Sequence, residues 1–291
     1  CGARHVGRRQ DRGSAGVNSN TDAVVGMESA PGPHDHPAAS KDHSTPRPPV
    51  RFSHLRAYGR SPMHGHHARL HDKDQTVAMQ RGTAVDAMLF NTRKVCGYPG
   101  SQRRGKEYDA FAAANPDTEI LTIAEYGKAR LMVDAVRQCK VAEPMLKGIT
   151  QKTILFRWNG LDCRSTPDIR GADYLTELKT SSSADPMRFP YHALRMHYHA
   201  QMRMQALACS DTSILDCFIV CVESAEPFPV TVFRMDEKAL EAGEKLLMLW
   251  AESLKNCEKS QTFPPYAQCV MPIDLPDDLE LDYSTTENGE I

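Results

Sequence analysis

The sequence predicts an α/β fold in which a mixed central β-sheet is flanked by helices. Three observations lead there. Between Thr153 and Thr180 three strand-like runs follow one another, separated by turn-forming residues. Two further runs, Ser213 to Glu223 and Val230 to Met235, add strands downstream. Stretches with apolar residues at helical spacing lie before, between and after these strands, so sheet and helices belong to one unit.

Taken in order, Cys1 to Val50 is rich in Gly, Ser, Pro, His, Asp and Arg and is read as a disordered segment, because it buries too little to offset its ordering entropy. The chain begins without Met, and Met27 is the first one, which reads as a fragment or as a translation begun upstream of the true start. The folded domain is placed at 51–268. Phe52 to Gly65 is predicted as one short helix, with Ser53 as its N-cap and Ser61-Pro62 as its stop. His64, His66, His67 and His71 follow closely and are read as a solvated loop. Gln75 to Leu89 is a helix despite Gly82, which close packing against the sheet would explain. Asn91 to Gly105 is polar and basic and is read as a loop, and Glu107 to Asn115 as a short helix. Thr122 with Glu125 makes a capping box for an amphipathic helix to Cys139, its stripe running through Ile123, Tyr126, Ala129, Met132, Val133 and Val136. Ala142 to Leu146 adds a helical turn.

The strands Thr153–Trp158, Leu161–Asp168 and Tyr174–Thr180 come next as a meander, with Asn159-Gly160 turning the first into the second. Pro186 to Ala208 is predicted as one helix whose buried side holds Met196, His199 or Ala200, Met204 and Leu207, and on which His197, Gln201 and Gln205 share a polar stripe. Cys217 and Cys221 sit within the apolar run Ile214 to Val222 and are read as strand core. Glu237 to Cys257 is a long helix with Leu240, Ala242, Leu246, Leu247, Trp250 and Leu254 inward. Residues 269–291 are read as an acidic flexible tail.

Composition excludes several classes. Net charge is −2, so any nucleic-acid contact rests on a local basic patch and not on bulk charge. Nine cysteines show no disulfide or zinc-ribbon spacing, and free thiols suit a reducing cytoplasm. No apolar stretch approaches the roughly 20 residues of a membrane span.

One constellation carries chemistry. Asp168 ends one strand-like run, and Glu177 and Lys179 lie on the next. The short Gly-containing connection from Ile169 to Ala172 makes the two runs a hairpin. Residues two apart on a strand face the same side, so Glu177 and Lys179 point together while Leu178 points to the core. Two carboxylates and an ammonium then converge. Carboxylate oxygens suit Mg²⁺, and a neighbouring lysine stabilises negative charge at an attacked phosphate.

The chain resembles the PD-(D/E)xK nuclease superfamily, and within it the RecE-type phage and prophage exonucleases, relatives of lambda exonuclease and the RecB nuclease domain. The resemblance rests on Phe52-Ser53-His54-Leu55 with Arg60-Ser61-Pro62, on Arg81-Gly82-Thr83-Ala84-Val85-Asp86, on Glu119-Ile120-Leu121-Thr122, on Pro167-Asp168 with Glu177-Leu178-Lys179, and on His199-Ala200-Gln201. It implies a restriction-endonuclease-like core and a Mg²⁺-dependent exonuclease acting 5′ to 3′ on linear double-stranded DNA, with Mn²⁺ able to substitute. Asp168, Glu177, the Leu178 carbonyl and Asp86 would hold the metal, Asp86 standing where the family has a histidine. Lys179 and Gln201 would position the water. Gln151 stands where the family has a glutamate. Ser53 and Arg60 are candidates for a 5′ phosphate, and Tyr191, Arg195, His197 and His199 for DNA contact. The implied partners are duplex ends, a single-strand annealing recombinase and further copies of the chain in a trimer or tetramer, in a bacterial host's cytoplasm and encoded by a phage or prophage. The alternatives are a non-enzymatic DNA-binding subunit of the same fold and an endonuclease of repair or restriction.

Overall fold

The computed structural model of the chain describes residues 48–72, 74–100, 102–209 and 216–273. The segment predicted as disordered up to residue 47, the strand start at 213–215 and the acidic tail from 274 onward lie outside the described residues. Val50 is buried and bridges Cys163 in parallel.

The first predicted helix is two helices, α1 (Phe52–Tyr58) and α2 (Pro62–Leu70). The Ser61 hydroxyl accepts from the His64 N–H at 3.3 Å and Pro62 takes the first helical position. Ser-Pro therefore opens a helix here instead of closing one, since proline's missing N–H costs nothing in the first turn. The N-cap of α1 is Arg51, not Ser53. The histidine group is not a loop. His64, His66 and His67 stand on α2, and His71 caps its end. His66 stacks on Phe263 at 3.8 Å between ring centroids.

α3 (Val77–Phe90) starts where Thr76 accepts from the Met79 N–H, and it buries Ala84, Val85 and Ala87. The predicted loop after it contains a strand, β1 (Lys94–Tyr98). β1 pairs in parallel with β2 (Thr118–Thr122), across α4 (Lys106–Ala114). α5 (Ile123–Gln138) is capped by Thr122 through the Glu125 N–H, but only this half of the predicted capping box forms, since the Glu125 carboxylate accepts from Arg81 Nε at 2.6 Å. Its buried stripe is Ala129, Met132, Val133 and Val136, whereas Ile123 is 61% exposed. A 3-10 turn at Glu143–Leu146 follows.

The strands of the middle region are β3 (Ile149–Thr150), β4 (Ile154–Trp158), β5 (Leu161–Ser165), β6 (Ile169–Arg170) and β7 (Tyr174–Ser181). They do not form one meander. β4 and β5 make their own two-stranded ribbon, turned by Asn159 and Gly160 at positive φ. β7 pairs with the short β6, not with the run from Leu161. The predicted helix from Pro186 is also two, α6 (Phe189–Arg195) and α7 (Tyr198–Cys209), broken at His197, whose φ of 59° is left-handed. β8 (Asp216–Glu223), β9 (Val230–Arg234) and α8 (Glu237–Ser260) complete the chain.

The central sheet is mixed, in the order β3-β6-β7-β8-β9, with β7 and β8 parallel and the other pairs antiparallel. The flanking helices bury its two faces separately. Leu178, Val220 and Val222 pack with Ala84 and Val85 of α3 and the stripe of α5. Leu175, Cys217, Ile219 and Cys221, alternating with them, pack with Phe189, Ala193, Met202 and Leu240. A third cluster joins α1, the β4–β5 ribbon, α7 and α8 through Leu55, Cys163, Met204, Leu247 and Trp250. Ala242, expected on the inward face of α8, is exposed. Gly243 takes that face, and a Cβ there would lie 2.7 Å from the His199 carbonyl.

Candidate active site

The site forms where β6 stops short of β7's full length. The antiparallel ladder between them ends at Ile169 opposite Thr176. Pro167, with no N–H, cannot extend it as a donor. The next free donor of β7 is the Leu178 N–H, and Asp168 takes it with its side chain, Oδ2 accepting at 2.8 Å. The carbonyl of a strand residue leaves on the same edge as its N–H, so the Leu178 carbonyl faces the side of Asp168. Gln151, in the turn after β3 at φ 44°, donates its backbone N–H to the Asp168 carbonyl at 3.0 Å.

Glu177 and Lys179 flank Leu178 on the other side of the pleat, as alternation requires. Lys179 Nζ donates to Glu177 Oε1 at 2.6 Å. α7 lies across them. Gln201 Nε2 donates to Glu177 Oε1 at 2.5 Å, and Gln205 Nε2, one turn on, donates to Oε2 at 2.7 Å. Lys179 Nζ stands 4.9 Å from the ring centre of Tyr198, a favourable place for a desolvated cation. Gly82 of α3 faces Thr180 of β7, where a Cβ would come within 3.3 Å of Oγ1. The expected close approach of α3 to the active strand is therefore present, and it carries Asp86 toward the site.

The electrostatics tie the three acids together. Burial and then the charges of Glu177 and Asp86 hold the Asp168 carboxyl well above the usual carboxylate range, against the pull of Lys179 and the Leu178 N–H. Burial raises Asp86 to about 7, with Glu177 adding to the rise and Lys179 opposing it. Burial pulls the Lys179 ammonium down, but Glu177 and Asp168 more than offset this and leave it above its ordinary value. Three carboxylates thus share one cation, and the deficit is positive charge.

That donor set suits a hard divalent cation: three carboxylates and a strand-edge carbonyl, with no soft ligand. Among the described residues no three His, Cys, Asp or Glu side chains are already gathered as a metal-ligating group. Both Glu177 oxygens are instead held by nitrogen donors.

The remaining sequence candidates lie elsewhere. Ser53 is exposed in the first turn of α1, and Arg60 past its end donates to the Tyr266 hydroxyl at 2.9 Å. Tyr191 and Arg195 are exposed on α6. His197 sits in the left-handed link, its ring 5.2 Å from Trp250, and its buried Nδ1 has no hydrogen-bond partner among the described residues. His199 is buried. Among the described residues none of these side chains hydrogen-bonds or ion-pairs with Asp168, Glu177 or Lys179. Gln205 and Tyr198 are functional candidates that sequence reasoning did not assign. Gln205 was signalled by sharing a helical stripe with Gln201, and Tyr198 by nothing beyond its nearness to that stripe.

A family profile described as a PDDEXK-like domain of unknown function (DUF3799) matches residues 52–272. The chain belongs to this PDDEXK-like family. A solved structure from Eubacterium rectale, a candidate exonuclease, superposes with a TM-score of 0.57 at 13% identity, covering 78% of this chain and 90% of its own. At that identity the likeness shows the fold, which is that of the PDDEXK-like domain. A second structure, SSO0001, covers 43% of this chain and 67% of its own at 19% identity, with a TM-score of 0.23 that carries no argument. No curated protein matches the chain. Among the described residues no helix is long and apolar enough to cross a membrane.

Proposed function

We propose that the chain is a divalent-cation-dependent exonuclease that hydrolyses linear double-stranded DNA from an end, 5′ to 3′, with Mg²⁺ as the working ion and Mn²⁺ as a substitute. The observation that carries this reading is the convergence of Asp168, Glu177 and Lys179 at one point of β7, with a third carboxylate from α3. Asp168, Glu177, the Leu178 carbonyl and Asp86 would hold the cation, which when bound supplies an acidified water and shields the phosphate charge. The chain's own residues do the rest. The Leu178 N–H fixes the Asp168 rotamer. Gln201 and Gln205 fix Glu177. Lys179 orients the water and offsets the charge that grows on the phosphate oxygens. Water attacks phosphorus, the P–O3′ bond breaks, and a 3′ hydroxyl and a 5′ phosphate result.

The reading extends to partners. Duplex ends are the substrate, a single-strand annealing recombinase takes the 3′ overhang, and copies of the chain assemble as a trimer or tetramer. The setting is recombination in the cytoplasm of a bacterium, encoded by a phage or prophage. Ser53 and Arg60 would meet a 5′ phosphate, and Tyr191, Arg195 and His197 would contact DNA.

The test is an end-labelled linear duplex, with and without a 5′ phosphate, incubated with Mg²⁺ or with chelator beside a closed circle. Wild type should degrade the linear form only, and Lys179→Ala should slow this by about a hundredfold or more. Near-normal cleavage by Lys179→Ala would reject the assignment. Cutting of the closed circle would make the enzyme an endonuclease. One observation favours a non-enzymatic DNA-binding subunit, namely that nitrogen donors occupy both Glu177 oxygens. Calorimetry showing neither Mg²⁺ nor Mn²⁺ binding, with no cleavage, would select that reading.

A further inference from the structure

Away from the carboxylates, a cavity of about 310 Å³ opens between the residues leading into α1, the end of α2 and β5. Arg51, Arg69, Arg164, His54, His71 and Asp72 supply its charged and titratable lining. The three arginines come from three separate places in the chain, which makes the convergence a product of the fold. Arg69 is held in place: its side chain is 9% exposed, Nη1 donates to the Pro48 carbonyl at 3.2 Å, and Nη2 lies 3.7 Å from Glu258. Arg51 Nε donates to His54 Nε2 at 3.1 Å, and its ion pair with Asp72 is at only 3.5 Å with that acid 95% exposed. Arg164 has no ion pair and no side-chain hydrogen bond among the described residues. Two acids thus answer three guanidiniums, one of them from an exposed position. His54 in the wall reports the balance. Burial first, then Arg51, Arg69 and Arg164, lower its pKa to about 4, and Asp72 alone opposes them.

Guanidinium groups converging on one concave site are suited to phosphate, whose oxygens accept paired N–H donors. Arg164 precedes Asp168 by four residues, so their Cα atoms are at most about 14 Å apart. Measured along a duplex axis, that is at most about four base-pair steps, at about 3.4 Å of rise per step.

We propose that this cavity is a phosphate subsite in which Arg51, Arg69 and Arg164 hold a backbone phosphodiester of the substrate strand a few nucleotides from the cut bond. The strand as the source of the phosphate rests on the nuclease reading, whereas the anion chemistry rests on the cavity alone.

The experiment uses the full chain in chelator, so that nothing is cut. Binding of a labelled linear duplex is followed by fluorescence anisotropy over a salt series, and binding of inorganic phosphate by calorimetry. Arg164→Gln and, separately, Arg51→Gln should weaken duplex binding about tenfold and flatten the log K against log salt slope by about one. Lys245→Gln, an exposed change on α8, is the control and should bind as wild type does. Circular dichroism verifies folding, and Arg164 is exposed, with no side-chain hydrogen bond or ion pair to lose among the described residues. Wild-type affinity and slope in both arginine variants would overturn the subsite. Phosphate binding that Arg164→Gln removes, with duplex binding unchanged, would overturn the strand assignment and make the cavity a site for a free phosphate ligand. Arginine-dependent duplex binding by a wild type that cuts nothing when Mg²⁺ or Mn²⁺ is restored would sink the nuclease reading and leave the subsite standing.

Discussion

Glu177 is 5% exposed, and a buried carboxylate is stable only when its oxygens are answered. Lys179 and Gln201 answer Oε1, and Gln205 alone answers Oε2. Gln205 is itself buried, and its Oε1 has no hydrogen-bond partner among the described residues, so its place is set by what its nitrogen does for Glu177. Gln205→Leu keeps the bulk and strips Oε2 of its donor. Such a loss costs about 1–3 kcal/mol, which for a domain of this size lowers Tm by roughly 2–12 °C. Thermal unfolding reads this directly, and Gln205→Glu should fall further because it sets a second carboxylate against the first. An unchanged Tm in both would mean that Gln205 does not hold Glu177. That Glu177 and Lys179 point together was legible because strand alternation depends on sequence spacing alone. Gln201 was legible through the resemblance. Tyr198 was not, since the left-handed turn at His197 that presents its ring has no glycine or asparagine to announce it.

At the scale of elements, the site depends on how closely α7 lies between the sheet and α8. Gly243 makes that approach possible, because a Cβ there would meet backbone atoms of His199 and Ala200 at 2.7–2.8 Å. Backbone cannot swing aside as a side chain can. Gly243→Ala should therefore push α7 off α8, lower Tm and, by shifting Gln201 and Gln205, weaken cleavage. Gly127 in α5 is the contrast, with nothing within 4 Å of its would-be Cβ. Gly127→Ala should stabilise by about 0.5–1 kcal/mol through helix propensity, leaving cleavage as it was. Equal effects of the two changes on unfolding would contradict this account of the packing. Helices with an amphipathic stripe, such as α8, or a stripe and a cap, such as α5, could be read from the sequence because their signal is local. β1 could not. It is five residues with a glycine inside a basic stretch, and its partner β2 lies beyond α4. The pairing of β7 with β6 was equally hidden. The run from Leu161 looks like one strand, but the chain leaves the β4–β5 ribbon after Ser165 and enters the central sheet only at Ile169. The hairpin that forms takes Ile169 and Arg170, expected in the connection, as its first arm, and that shortness frees the Leu178 N–H for Asp168.

For the molecule as a whole, the acids of the site link folding, pH and cation binding. Asp86 has an ordinary pKa of 3.8 and a folded value of about 7, so between these pH values the folded chain binds more protons than the unfolded one. Stability contributed at this position therefore falls as pH rises from about 4 to about 7 and is level above. Asp168 is shifted in the same direction. Lys179, raised, contributes stability that is full below the ordinary lysine value and is lost only at higher pH, so it does not act in this window. Asp86→Asn removes the penalty. In chelator the variant should be more stable than wild type at pH 8, with the gap closing as pH falls toward 4. A divalent cation should reverse the order, because it binds the ionised carboxylate and not the amide. Millimolar Mn²⁺ or Mg²⁺ should raise the Tm of wild type more than that of Asp86→Asn, and more at pH 8 than at pH 5. Calorimetric scans of both proteins across this range, with cation and with chelator, measure all four arms. A gap in chelator that does not change with pH would mean that Asp86 folds as an ordinary surface acid. A cation response equal in the two proteins would remove Asp86 from the ligand set and leave Asp168, Glu177 and the Leu178 carbonyl to hold the ion.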